Sequence, residues 1–199
     1  MAKLYFRYSA MNAGKSTALL QVAHNYEEQG GKVELYTAAI DDRYGVGKVT
    51  SRLGPQRDAL VYDDSFNFLE ALTDERWENV FELACLLVDE AQFLTPEQVQ
   101  QLHKLAHLAD IPVICFGLRS DFQGKPFPGA AYLLSLADTI EELKTICSCK
   151  SRATMNMRVD GEGNMVSTGN QVEIGGNSRY RQVCATCFYS QAENLLAVA

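Results

Sequence analysis

The chain has 199 residues, 47% apolar and 22% charged, which supports one substantial core plus a small appended module and excludes a disordered polymer. Its formal net charge of −7 argues against tight binding to a nucleic-acid backbone, which needs a basic face. A small anion held by a local cluster of amide donors stays compatible with that charge.

In chain order, residues 3–8 read as a strand and residues 16–29 as a helix stopped by Gly30 and Gly31. A second strand covers 33–37. Residues 39–57, with three glycines and a proline among charged side chains, read as a long surface loop. Helices are expected at 66–72 and 77–83. The apolar run 85–88, bounded by acidic residues, reads as a strand covered on both faces. Thr95 caps and Pro96 opens a helix reaching Ala109. Residues 113–117 form another buried strand, 118–129 a Gly/Pro-containing loop, 130–137 a short helix and 138–146 the last strand of the main sheet. Alternating strands and helices predict an α/β fold, a parallel sheet flanked by helices. Beyond Ile146 glycines punctuate polar stretches and four cysteines appear, which sets expected domains of 1–146 and 147–199.

Ser9, Ala10, Met11, Asn12, Ala13, Gly14, Lys15 and Ser16 lie between the first strand and first helix, the context of a Walker A phosphate loop. Backbone N–H groups at a helix start form a concave anion site; Lys15 reaches the β- and γ-phosphates and the Ser16 hydroxyl suits Mg²⁺. Ser9 stands where the pattern has its first glycine. Leu86, Leu87 and Val88 run into Asp89 and Glu90, the Walker B layout. Asp89 would hold magnesium, and Glu90 would accept the proton of an attacking hydroxyl.

Cys147, Cys149, Cys184 and Cys187 fall as C-x-C and C-x-x-C, two ligand pairs that a hairpin can join into a closed, structural zinc site. Four reduced thiols are the bland alternative. No apolar run is long enough to cross a bilayer and the N-terminal stretch lacks signal-peptide features, so the expected location is cytoplasmic, with no membrane partner. Cys85 and Cys115, inside apolar strands, are read as small buried hydrophobes.

Four stretches together, residues 9–17 (SAMNAGKST), 89–93 (DEAQF), 117–127 (GLRSDFQGKPF) and 174–187 (IGGNSRYRQVCATC), resemble the type II thymidine kinases. The resemblance covers nearly the whole chain. It implies a RecA-like ATP domain with a zinc-ribbon-like module, and transfer of the γ-phosphoryl of ATP to the 5′-hydroxyl of thymidine. Deoxyuridine as a second substrate, a homotetramer and feedback inhibition by thymidine triphosphate are also implied. Carried over residue by residue, it sets the phosphate loop with Asp89, Glu90, Ala91 and Gln92 around the nucleotide and makes Glu90 the proton acceptor. Met11, Phe93, Leu118, Phe122 and Phe127 would pack around the thymine ring, and Asp41 and Arg43 would border the site. Tyr180 and an extended strand of Gln171, Val172, Glu173, Ile174 and Gly175 would close over the nucleoside.

The competing reading is a RecA-type ATPase whose zinc ribbon contacts a macromolecular partner; a vestigial nucleotide site, motivated by Ser9, is another. His103 and His107 share a predicted helix face, but no Glu follows His103 and no third ligand shows in the sequence, so both are assigned to the helix surface or an interface. Lys144, Lys150, Arg152 and Arg158 are read as a solvated basic face.

Overall fold

The computed structural model describes residues 1–73, 83–173 and 179–196. Strand β1 (Leu4–Ser9) leads through the phosphate loop into α1 (Lys15–Glu28) and β2 (Lys32–Ala38). Three short strands follow, β3 (Lys48–Thr50), β4 (Gln56–Asp58) and β5 (Leu60–Tyr62), and then α2 (Phe68–Thr73). Next come β6 (Leu83–Val88), a 3₁₀ turn (Ala91–Phe93), α3 (Pro96–Leu108), β7 (Val113–Leu118), α4 (Pro128–Leu136) and β8 (Thr139–Glu142).

The main sheet has the order β5-β2-β6-β7-β1-β8, and every neighbouring pair in it is parallel. The apolar runs dictate this burial. On β6, Leu86 and Val88 join the core beneath α2, α3 and α4, while Cys85 and Leu87 join the core beneath α1. On β7, Val113 and Cys115 take the first face and Ile114 and Phe116 the second, the period of two that a pleated strand imposes. Leu86, Leu87 and Phe116 are fully buried, each contributing roughly 1.5–3 kcal/mol through area removed from water. At the start of α3 the Thr95 hydroxyl accepts from the Gln98 amide at 3.2 Å, and the Gln98 side chain accepts from the Thr95 amide at 2.9 Å, a reciprocal capping box.

After β8 the chain leaves the sheet. Strand β9 (Thr145–Ile146) pairs antiparallel with β10 (Arg152–Ala153), and β11 (Met155–Arg158) with β12 (Tyr180–Val183), before α5 (Ala185–Leu196). A separate small core, including Cys147, Met157, Val183, Cys184 and Phe188, holds this region together.

Two expectations need correction. Residues 39–57 are not all loop: β3 and β4 form a hairpin there, and β5 just beyond it is an edge strand of the main sheet. All three are only three residues long, too short to carry a periodic signal. The strand expected at 138–146 stops at Glu142, and Thr145 and Ile146 belong to the antiparallel ribbon of the cysteine module. The helix expected at 77–83 lies outside the described residues except for Leu83, which opens β6.

Candidate active site

The phosphate loop is bent by two residues in the left-handed region, Asn12 at φ 64° and Gly14 at φ 80°. Glycine adopts that conformation without steric cost, which explains Gly14 as the residue preceding α1. Ser9 is different. It ends β1 in extended backbone, so no glycine is required there. Its buried hydroxyl donates to the Ala10 carbonyl at 2.7 Å and accepts from Lys15 Nζ at 3.3 Å. Burial pulls the Lys15 ammonium below its ordinary pKa, against the opposing pull of Glu90 and Asp89.

Asp89 and Glu90 leave the end of β6, across β7 from the loop. The Ser16 hydroxyl donates to Asp89 Oδ2 at 3.1 Å and so links the two motifs directly. Burial, and next the Glu90 charge, raise the Asp89 carboxyl to about 7. Glu90 sits at φ 51°, a conformation costing about 1–3 kcal/mol that persists where the surroundings over-determine it. Those surroundings are specific. The Glu90 amide donates to Asp89 Oδ1 at 3.0 Å, and the buried Tyr62 hydroxyl donates to the Glu90 carbonyl at 2.9 Å.

The Glu90 carboxylate is held at both oxygens. Gln92 donates to Oε2 at 2.5 Å, and Arg43 Nη2 donates to Oε1. Arg43 is itself gripped by Asp41, whose two oxygens accept from Nε and Nη2 at 2.6 and 2.7 Å. Burial opposes the Arg43 charge, but the Asp41 bonds and the Glu90 charge outweigh it and hold its pKa above the ordinary value. Gln92 also accepts from the Leu118 amide at 2.9 Å. This close approach needs Gly117, where a Cβ would lie 2.8 Å from Gln92 Oε1.

Two clefts meet at this carboxylate. The larger, about 1470 Å³, follows the phosphate loop past Lys15, Ser16 and Asp89 to the β3–β4 hairpin. The smaller, about 540 Å³, is lined by Phe93, Leu118, Phe122 and Phe127, with Tyr180 and Val172 on its outer wall. Met11, Asp41, Arg43, Glu90 and Leu118 line both. Phe93 and Phe127 meet edge to face at 5.8 Å and 77°, forming a rigid apolar wall. Such a slot suits a flat, uncharged ring whose polar tail points toward Glu90.

The predicted nucleotide-side and ring-side residues are therefore brought together. Ala10 and Ala91 are buried backbone supports, and Asn12 and Ala13 line the larger cleft. Gln171, Val172 and Glu173 reach the smaller one, whereas Ile174 and Gly175 lie outside the described residues. The strand expected across 171–175 is absent at 171–173, because no neighbouring strand among the described residues pairs with it. Side chains anchor it instead: Gln171 donates to Asp121 Oδ2 at 3.0 Å, and Glu173 pairs with Arg158 at 3.4 Å.

Arg158 corrects a second expectation. It is 3% exposed, not solvated. Its guanidinium lies 3.7 Å from the centre of the Phe122 ring and donates to the Tyr180 hydroxyl at 2.7 Å and the Asn170 carbonyl at 2.9 Å. Asn156, two residues earlier, is also buried, accepting from the Met11 amide at 2.8 Å and donating to the Ser120 carbonyl at 3.3 Å. Ser120, Asp121 and Asn156 line the ring cleft as well. Ser120 and Asp121 fall within the 117–127 stretch without a role assigned to them there, and nothing in the local sequence announces Asn156. The alternation of β11, which turns Asn156 and Arg158 to one side, becomes informative only once the strand is known.

Cys147, Cys149, Cys184 and Cys187 converge, all four sulfurs lying within 4.8 Å of one another. None is in a disulfide, and Cys149 and Cys184 sulfurs are 3.6 Å apart. Tetrahedral Zn–S bonds of about 2.3 Å require sulfur separations of about 3.8 Å, so the set fits zinc. Cys85 and Cys115 stay apart, buried in β6 and β7, and burial raises the Cys85 thiol to about 12.

A parallel sheet with a phosphate loop on one strand, an acidic pair two strands away and an apolar cleft joined to the cleft along that loop defines a P-loop phosphotransferase of small molecules. A family model described as thymidine kinase matches residues 2–188. The chain is 62% identical to the thymidine kinase of Chromobacterium violaceum, over 95% of this chain and 99% of that protein. It is 54% identical to the thymidine kinase of Shewanella oneidensis, over 94% and 97% of the two chains, and 50% identical to that of Salmonella choleraesuis, over 92% and 89%. The chain belongs to the thymidine kinase family and is a phosphotransferase. The macromolecule-remodelling ATPase is not favoured. Among the described residues no helix is long and apolar enough to cross a membrane.

Proposed function

We propose that this enzyme transfers the γ-phosphoryl group of ATP to the 5′-hydroxyl of thymidine, giving thymidine monophosphate and ADP. The observation that carries this reading is the meeting of a phosphate cleft and an apolar ring cleft at one buried carboxylate, Glu90.

In this account, loop amides and Lys15 bind the β- and γ-phosphates in the larger cleft. Ser16 and Asp89, joined by a 3.1 Å hydrogen bond, would hold magnesium. Bound magnesium would neutralise charge on the transferring phosphoryl group. The thymine ring stacks among Phe93, Phe122, Phe127, Leu118 and Met11, with Val172 and Tyr180 closing over it. Glu90 accepts the hydroxyl proton as the sugar oxygen bonds to the γ-phosphorus and the bond to the ADP oxygen breaks. Gln92 and Arg43 hold that carboxylate at the seam between the clefts before substrate arrives.

An apolar slot discriminates one methyl group by only about 1–3 kcal/mol, so deoxyuridine is a second substrate. The four cysteines hold a structural zinc that supports a C-terminal module at 147–199, beside a nucleotide domain at 1–146. A cytoplasmic homotetramer and inhibition by thymidine triphosphate follow from the family resemblance. Ile140 on edge strand β8 and Tyr132 on α4 are exposed apolar side chains suited to a contact between copies.

The test is phosphate transfer from labelled ATP to a panel of nucleosides. Product with thymidine and deoxyuridine, and negligible ATP consumption without a nucleoside, is expected. Strong nucleoside-independent hydrolysis would contradict the proposal.

A further inference from the structure

His103 and His107 lie one turn apart on α3, with ring centres 4.5 Å apart. The fold supplies the third group that their sequence neighbourhood lacks. Asp138, between α4 and β8, brings a carboxylate oxygen 3.1 Å from His107 Nε2. One imidazole nitrogen from each histidine and one Asp138 oxygen all lie within 4.8 Å of one another. We propose that His103, His107 and Asp138 form a second metal site, selective for a divalent transition ion of the zinc class, which ties α3 to the start of β1.

The ligand set decides the class. Two imidazoles and one carboxylate suit Zn²⁺ and its transition-metal neighbours, whereas Ca²⁺ and Mg²⁺ require oxygen ligands. Bonds of about 2.0–2.2 Å would set the three donors about 3.4 Å apart, an adjustment that partly exposed side chains can make by small rotations. Water completes the coordination on the open side, since His107 and Asp138 are exposed and His103 is half-buried.

The supporting contact is already in place. Asp138 Oδ2 accepts from the Leu4 amide at 2.8 Å, which orients the carboxylate and connects the site to β1. Leu4 begins the strand whose other end, Ser9, opens the phosphate loop, so the site lies at the opposite end of that strand, about 16 Å away along extended backbone. A metal there has no direct access to the phosphates. Its effect is to fasten α3 and the α4–β8 connection onto β1, raising the stability of the domain that carries the nucleotide site.

The experiment uses the full chain with its four-cysteine site already filled by zinc, equilibrated with Co²⁺. Expected is one additional equivalent per chain with weak d–d absorption and no thiolate charge-transfer band, together with a rise in the thermal midpoint. His103→Ala, His107→Ala and Asp138→Asn should each weaken this equivalent by about tenfold or more while leaving cysteine-bound zinc unchanged. Asp138→Asn keeps an acceptor for the Leu4 amide, so it tests ligation rather than folding. Failure to bind an additional equivalent, growth of a thiolate band, or undiminished binding in the folded histidine variants would overturn the proposal. Thymidine phosphorylation should persist in all three variants.

Discussion

The backbone amide of Met11, inside the phosphate loop, donates a 2.8 Å hydrogen bond to the buried side chain of Asn156, which lies 145 residues further along. Asn156 belongs to the strand that leads from the cysteine ribbon into the segment closing the ring cleft. The same side chain donates to the Ser120 carbonyl, so one residue joins the phosphate loop, the phenylalanine-bearing loop and the C-terminal module.

Asn156→Ala leaves a buried amide and a buried carbonyl without their partner, at a cost of about 1–3 kcal/mol per unsatisfied group. The folded protein should lose stability by that order. KM should rise for both ATP and thymidine, because the loop and the ring cleft loosen together. Denaturant midpoints and steady-state kinetics check both. A stable variant with unchanged constants would show the bridge to be dispensable.

Arg158 gives a sharper expectation because its side chain contacts Phe122, Tyr180, Asn170 and Glu173, around the smaller cleft. Arg158→Ala removes the stack on Phe122 and the bonds to Tyr180 and Asn170. A charged buried hydrogen bond is worth about 1.5–3 kcal/mol, so thymidine KM should rise about tenfold or more. ATP KM should stay within about twofold. Equal losses on both substrates would instead indicate general unfolding.

Ser9 replaces the glycine of the usual phosphate loop, yet its backbone is extended and its hydroxyl stays within the loop. Ser9→Gly therefore relieves no strain and adds chain freedom costing about 0.5–1 kcal/mol. Turnover and ATP KM should stay within about threefold of the parent. A large gain in ATP affinity would mean that the serine obstructs phosphate binding.

The main sheet was largely legible because its strands carry continuous apolar runs and its helices carry caps and stops. The phosphate loop and the acidic pair were legible because their chemistry needs fixed residue types at fixed short spacings. Arg158 was not. Grouped with Lys144, Lys150 and Arg152 it has the composition of a solvated face, and only the fold places Phe122, Tyr180 and Glu173 around it. Asn156 was hidden for the same reason, since its partners, the Met11 amide and the Ser120 carbonyl, are distant in sequence. The third ligand at His103 and His107 was equally invisible, because Asp138 lies 31 residues beyond His107.

Thiol chemistry separates the cysteine sets. In the zinc-loaded protein Cys85 and Cys115 should resist a thiol reagent, because burial raises both thiols and blocks access. Chelation should expose Cys147, Cys149, Cys184 and Cys187, increase proteolysis beyond Ile146, and weaken thymidine binding through Asn156 and Arg158. Counting reactive thiols before chelation, after it and after unfolding checks the order. Early reaction of Cys85 or Cys115 would contradict it.

The most direct measurement on the proposed chemistry is single-turnover phosphoryl transfer by Glu90→Gln with magnesium, ATP and thymidine at saturation. This change keeps the shape of the side chain and a hydrogen-bonding end toward Gln92 and Arg43, but removes the group that takes the hydroxyl proton. Transfer should slow by about 100-fold to 10,000-fold while ATP affinity changes little. A variant that transfers phosphate at the parent rate would remove Glu90 from the reaction and with it the reading of the two clefts as donor and acceptor sites.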